Sequence, residues 1–206
     1  MTPRRLARDS RQLIFKAAAA EFAERGYAAA GVDRIAEKAR VNKAMIYYHF
    51  GSKADLYREI LQDMFRAVSV RARTIADGDG TPEAKFETWV ATLVEEACAR
   101  PHFPPIMLRE LASGGDHLDA DTVRLLDSVY GAIRDMVLAG QQQGDFANVN
   151  PLLAHFTIIS PVMFFLARAR VITRRGRLHA DVADPITREA FLRHMQRVVQ
   201  RMLRKD

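Results

Sequence analysis

With a single cysteine, Cys98, the 206-residue chain cannot close an intrachain disulfide, and a reducing, cytoplasmic setting is expected. Alternation of period two is nearly absent, which argues against sheet structure. The basic start, MTPRRLARDSRQ, leads into no apolar run with a small-residue cleavage site, so no secretion signal is expected. The nearest thing to a membrane span is 152–167. It falls short of the ~20 residues a span needs and contains His155, Thr157, Ser160 and Pro161. It reads as a buried helix, and no membrane partner is expected. Catalytic patterns are missing too: there is no nucleotide-phosphate glycine loop, nucleophile elbow or paired-cysteine motif. Glu95-Glu96 fits a solvated helix face better than an acid–base pair. His102, His117, His155, His179 and His194 lack ligand spacing, so neither a metal nor a cofactor is expected, and the chain does not read as an enzyme.

What is present is helical material. Apolar residues make up 49% of the chain, alanine, leucine, arginine and glutamate are frequent, and glycine and proline fall mostly at segment ends; together these predict an all-α fold. Charge is unevenly placed. Residues 1–53 carry 11 Lys/Arg against 5 Asp/Glu, whereas residues 54–206 carry 20 against 20, so the whole net charge of +6 belongs to the first quarter. A basic head on a neutral body is the pattern of a polyanion binder.

Within that head, residues 32–53, VDRIAEKARVNKAMIYYHFGSK, read as a helix-turn-helix. Val32, Ile35, Ala36 and Ala39 recur at helical spacing. Val41 then offers an apolar plug, and Asn42 a side chain able to cap the next helix. That second helix, 43–50, buries Ile46 and Phe50 one turn apart and leaves Lys43, Ala44, Met45, Tyr47, Tyr48 and His49 outward or sideways. Hydroxyls and basic groups on a short exposed helix suit a phosphate-lined groove. In front, Asp9 or Ser10 can cap a helix running to about residue 25, where Gly26 stops it. Arg4, Arg5 and Arg8 then form either a basic arm reaching phosphates or the minor groove, or a plain disordered terminus.

Further helices are predicted at 53–76, capped by Ser52, and from Pro82 after Thr81. A short one follows through Ile106 and Leu111, then helices at 121–142, from Pro151 to about 173, and at 185–204. The basic run 174–184 reads as an exposed loop. The helix from Pro151 is apolar on most of its circumference and needs neighbours on nearly all sides; pairing it and the last helix with their copies in a second chain would form a four-helix interface.

Residues 14–57, IFKAAAAEFAERGYAAAGVDRIAEKARVNKAMIYYHFGSKADLY, resemble the amino-terminal domain of TetR/AcrR-type transcriptional regulators. The resemblance implies a helix-turn-helix domain over residues 1–52 that binds palindromic double-stranded operator DNA. It also implies a ligand-binding and dimerisation domain over 53–206, a homodimer formed through the last two helices, and a small-molecule effector. By position it places Lys43, Ala44 and Met45 at bases and Tyr47, His49 and Lys53 at phosphates. The sequence departs from the pattern at Ala30 and Gly31, which replace hydroxyl residues before the second helix, and at Arg40, which replaces a turn glycine; a positive φ there costs on the order of 1 kcal/mol.

The expected effector pocket gathers Phe65, Trp89, Met107, Phe156, Met163 and Phe164, each of which would serve equally as ordinary core. Arg109 and Glu110 fit either a polar ligand group or a salt bridge. The function expected is a sequence-specific regulator, a repressor released by a partly apolar ligand. A sequence-tolerant DNA-organising protein is the alternative, and an enzyme with an accessory DNA head lies further off.

Overall fold

The computed structural model describes residues 3–175 and 185–205, with side chains over 9–168 and 187–205. These residues form helices without strands: α1 (Pro3–Ala29), α2 (Val32–Ala39), α3 (Lys43–Phe50), α4 (Lys53–Asp77), α5 (Pro82–Ala99), α6 (Phe103–Ala112), α7 (Ala120–Gln143), α8 (Pro151–Arg175) and α9 (Pro185–Leu203). The all-α expectation holds. Its boundaries follow local chemistry. Ser52 Oγ accepts from the Asp55 N–H at 3.0 Å, Thr81 Oγ1 from the Ala84 N–H at 3.3 Å, and Asn150 Oδ1 from the Leu152 N–H at 2.9 Å.

The start of α1 differs from expectation. Arginine, leucine and alanine are good helix formers, and the helix extends back to Pro3, leaving Asp9 and Ser10 inside it rather than at its cap. The basic segment is therefore helical backbone; the side chains of Arg4 and Arg5 lie outside the described residues. The other end behaves as expected. Gly26, at φ 76° and ψ 170°, breaks the helical run with a conformation that side chains disfavour.

Packing divides the chain into two compact units, Met1–Met64 with Pro105–Val123, and Phe65–Pro104 with Arg124–Asp206. The first thus takes in more than residues 1–52. Its fully buried residues include Ile14, Phe22, Ile35, Ile46, Leu56 and Ile60, which lock α1, α2, α3 and the start of α4 together. Its inserted segment contributes Glu110, almost fully buried, which accepts from the Tyr57 hydroxyl and, at 3.3 Å, from the His117 backbone N–H. Burial and the adjacent Glu110 carboxylate hold the Tyr57 hydroxyl well above the usual phenol range, so it stays a donor. Arg109 instead donates to the Glu24 carbonyl at 3.3 Å and lies across Gly26, where a Cβ would sit 3.3 Å from its Nη1. Glu110 also lies 3.1 Å from the His117 ring, and both Arg109 and Glu110 bind the inserted segment to the head.

The second unit is built on α5, α8 and α9, with Trp89, Phe86, Ile133 and Ile158 fully buried. On α8 the residues Ala154, Ile158, Val162 and Leu166, four apart, face this core. By length and composition Pro151–Arg168 could cross a membrane, yet this stripe is committed to packing on α5 and α9. The expectation of a buried helix is only half met: Leu152, Leu153, Phe156 and Phe164 are exposed, because they fall between the inward positions, where at about 100° per residue the helix turns away from that core.

Phe146 folds over α7 against Phe86, with ring centroids 5.6 Å apart, and lies so close to Gly140 that a Cβ there would fall 2.1 Å from the ring. Within a helix, Gly→Ala ordinarily stabilises by about 0.5–1 kcal/mol. Here the sign reverses: Gly140→Ala is expected to lower stability by about 1–3 kcal/mol, read from the midpoint of urea unfolding.

Candidate nucleic-acid interface

The helix-turn-helix is assembled by packing between α1, α2 and α3. Gly31 precedes α2 with no side-chain cap, as its departure from the family pattern implied. Arg40 ends α2 at φ 54° and ψ 43°, so the arginine adopts the left-handed conformation and carries the expected strain. Its N–H bonds the Glu37 carbonyl at 3.0 Å and that of Val41 bonds Ala36 at 3.0 Å, closing the turn. Asn42 Oδ1 then accepts from the Ala44 N–H at 2.8 Å, the cap read from the sequence.

On α3, Ile46 and Phe50 are buried, while Lys43, Ala44, Tyr47 and Tyr48 are exposed on one side, Tyr48 at 76%. Met45 and His49 are half-buried. The side chains expected at phosphates are partly engaged already. His49 Nε2 lies 2.8 Å from Ser10 Oγ on α1. The Lys53 ammonium rests 4.5 Å over the Tyr27 ring, within 3.5 Å of the Ala28 carbonyl, and desolvation lowers its pKa from the usual lysine value. Lys43 pairs with Asp33 at 2.8 Å, which raises its pKa.

Sequence reasoning missed the groups that hold these positions. The most consequential is Glu21, fully buried on α1. Lys38 Nζ lies 2.5 Å from its Oε2, while Arg25 and Arg34 approach Oε1 at 3.0 and 3.2 Å, attracted by charge but outside hydrogen-bond alignment. The hydrogen bond to Glu21 raises the Lys38 pKa. Glu21 and Arg25 are four apart on α1, and that pair was legible; Arg34 and Lys38 reach it from another helix, and no local pattern announces that contact.

The residues expected to form an effector pocket line neither of the two clefts described below. Phe65 packs edge-on against Phe103 at 5.2 Å, Trp89 and Met163 are buried in the second unit, and Met107 belongs to the first unit. Phe156 and Phe164 point outward, for the helical reason given above, and are corrected as pocket residues of a single chain. The second unit has clefts elsewhere: one of about 800 Å³ over Phe86, Phe146 and Leu203, and one of about 710 Å³ beside Val94, Cys98 and Leu192.

A basic three-helix head with a capped, solvent-facing reading helix defines a helix-turn-helix DNA-binding regulator. The model for "Bacterial regulatory proteins, tetR family" matches residues 14–60. The chain is 26% identical over 198 residues to the HTH-type transcriptional repressor NicS of Pseudomonas putida, covering 95% of this chain and 93% of that protein. It is 51% identical over 90 residues to the HTH-type transcriptional activator FasR of Mycolicibacterium smegmatis, covering 41% of each. The structure of the ketosteroid transcriptional regulator KstR2 of Mycobacterium tuberculosis superposes with TM-score 0.73 at 22% identity, covering 95% of each chain. The chain belongs to the TetR family of bacterial transcriptional regulators.

Glu21→Gln keeps shape but removes the charge that its three cations share. The variant is expected to lose about 1–3 kcal/mol in urea unfolding, moderated because those cations are half-exposed and can turn to water. Glu24→Gln, at a more exposed partner of Lys38, should change stability by less than about 0.5 kcal/mol. Equal losses would show that the buried carboxylate has no special role.

Proposed function

We propose that this TetR-family regulator is a homodimeric, cytoplasmic repressor without enzymatic activity, which binds a palindromic operator and leaves it when a small, partly apolar molecule occupies the second unit. The observation that carries the DNA-reading half is the exposed face of α3, where Ala44, Tyr47 and Tyr48 stand clear of the head while Ile46 and Phe50 anchor it. Such a face suits a major groove: Ala44 and the half-buried Met45 offer methyl contacts to thymine, and Tyr47 and Tyr48 offer hydroxyls to phosphate. The repressor sense leans on NicS, whose likeness spans nearly the whole chain, over FasR, whose likeness covers less than half.

Dimerisation is supported by the exposed apolar side of α8, where Leu152, Leu153, Phe156 and Phe164 are left uncovered by their own chain. A twofold partner would cover them and space two reading helices for half-sites about one helical turn apart. The effector reading is supported by Trp89, fully buried, whose indole N–H finds no acceptor among the described residues. A buried donor left unpaired costs about 1–3 kcal/mol, which a carbonyl or hydroxyl oxygen on a bound molecule would recover.

Fluorescence anisotropy on DNA upstream of neighbouring genes tests the reading. Binding to the best site should exceed binding to scrambled DNA at least about 10³-fold at physiological salt; comparable affinities would instead identify a sequence-tolerant DNA-organising protein. Trp89 is the single tryptophan, so its emission reports occupancy directly. A ketosteroid, suggested by the designation of KstR2, is a fitting first probe. In sedimentation, Phe156→Glu with Phe164→Glu should convert a dimer to monomers while leaving the fold intact, since both positions are exposed in the single chain.

A further inference from the structure

Among the exposed side chains of α3, Lys43 alone carries a full charge, and it is not free. Its Nζ lies 2.8 Å from Oδ1 of Asp33, ten residues earlier in the first turn of α2. The Asp33 side chain is 80% exposed and has no other partner among the described residues. Both charges occupy helix N-termini, where the backbone dipole favours an anion and disfavours a cation. Asp33 is thus stabilised where it stands, and it offsets the repulsion that Lys43 meets at the start of α3.

Resting on the regulator reading above, we propose that Asp33 is a specificity-determining residue: it holds the Lys43 ammonium as a neutral pair, so that Lys43 reads a base edge instead of binding any phosphate. An ammonium has three N–H donors. Asp33 holds it by charge at 2.8 Å, and its donors remain available to acceptors such as guanine O6 and N7. An unpaired lysine beside a helix N-terminus would attract phosphate at every site alike. The carboxylate cancels that attraction, since a neutral pair displaces no counterion from DNA, and leaves the directional part of the contact intact.

Anisotropy titrations of the full-length protein on an operator and on scrambled DNA, each over a salt series, test this. Asp33→Asn should bind scrambled DNA several-fold more tightly at low salt, steepen the salt slope by about one per subunit, and lower the operator-to-scrambled ratio about tenfold. The double variant Asp33→Asn with Lys43→Gln, neutral as the native pair is neutral, should keep the native salt slope while losing the ratio. Both positions are exposed, and thermal unfolding midpoints equal to that of the parent would exclude misfolding as the cause. A native slope and ratio in Asp33→Asn, with the parent itself specific, overturns the inference alone. A parent without any specificity ratio overturns the regulator reading, and the inference falls with it.

Discussion

A carboxylate withdrawn from water is costly unless cations or donors surround it, and Glu21 meets that condition with charges drawn from two helices. Arg25 comes from its own helix, Arg34 and Lys38 from α2. The same geometry that satisfies the charge fixes how α2 lies on α1. Ile35 and Ala36 are then buried, the turn at Arg40 is aimed, and α3 starts where Asn42 can cap it. An apolar residue at position 21 would fill the space but would not select one rotation of α2 over another. The orientation of the reading helix thus depends on a contact two elements away from it.

This arrangement also changes the meaning of the charge surplus. The net charge of +6 over residues 1–53 suggests many cations for a polyanion. In the folded head, Arg25, Arg34 and Lys38 converge on Glu21, Lys43 pairs with Asp33, Arg11 pairs with Glu59, and Lys53 rests on Tyr27. Exposed cations that remain unpaired among the described residues include Lys16 and Arg40, the latter held at the turn in a left-handed conformation. A strained arginine in place of the usual glycine is then understandable: it keeps a free charge near the reading helix at a cost on the order of 1 kcal/mol.

The legible parts of the fold were those governed by local rules. Caps at Asn42, Ser52, Thr81 and Asn150 follow from one side chain and the N–H groups just beyond it, and Ile46 with Phe50 follows from helical spacing. What escaped involves meetings across sequence distance. His49 with Ser10, Lys53 with Tyr27, and Glu110 with Tyr57 join elements that no period connects. The pocket expectation fared worst at Phe156 and Phe164, because large apolar type was taken to mean interior position, whereas α8 turns one apolar side to its own core and another to solvent. The start of α1 escaped because a capping residue also tolerates a helix interior, and propensity on both sides of Ser10 carried the helix through it.

The amino-terminal unit is discontinuous in sequence: the chain leaves it at Met64 and returns from Pro105 to Val123. Its reading surface is therefore not a portable cassette. A fragment cut after the helix-turn-helix would strip Arg109 from the Gly26 kink, and one cut after Met64 would in addition leave the Tyr57 hydroxyl buried without Glu110. Grafting this specificity onto another regulator requires transplanting two separated stretches together. Recombination between relatives that exchanges heads at a single crossover would give each product a mismatched seam.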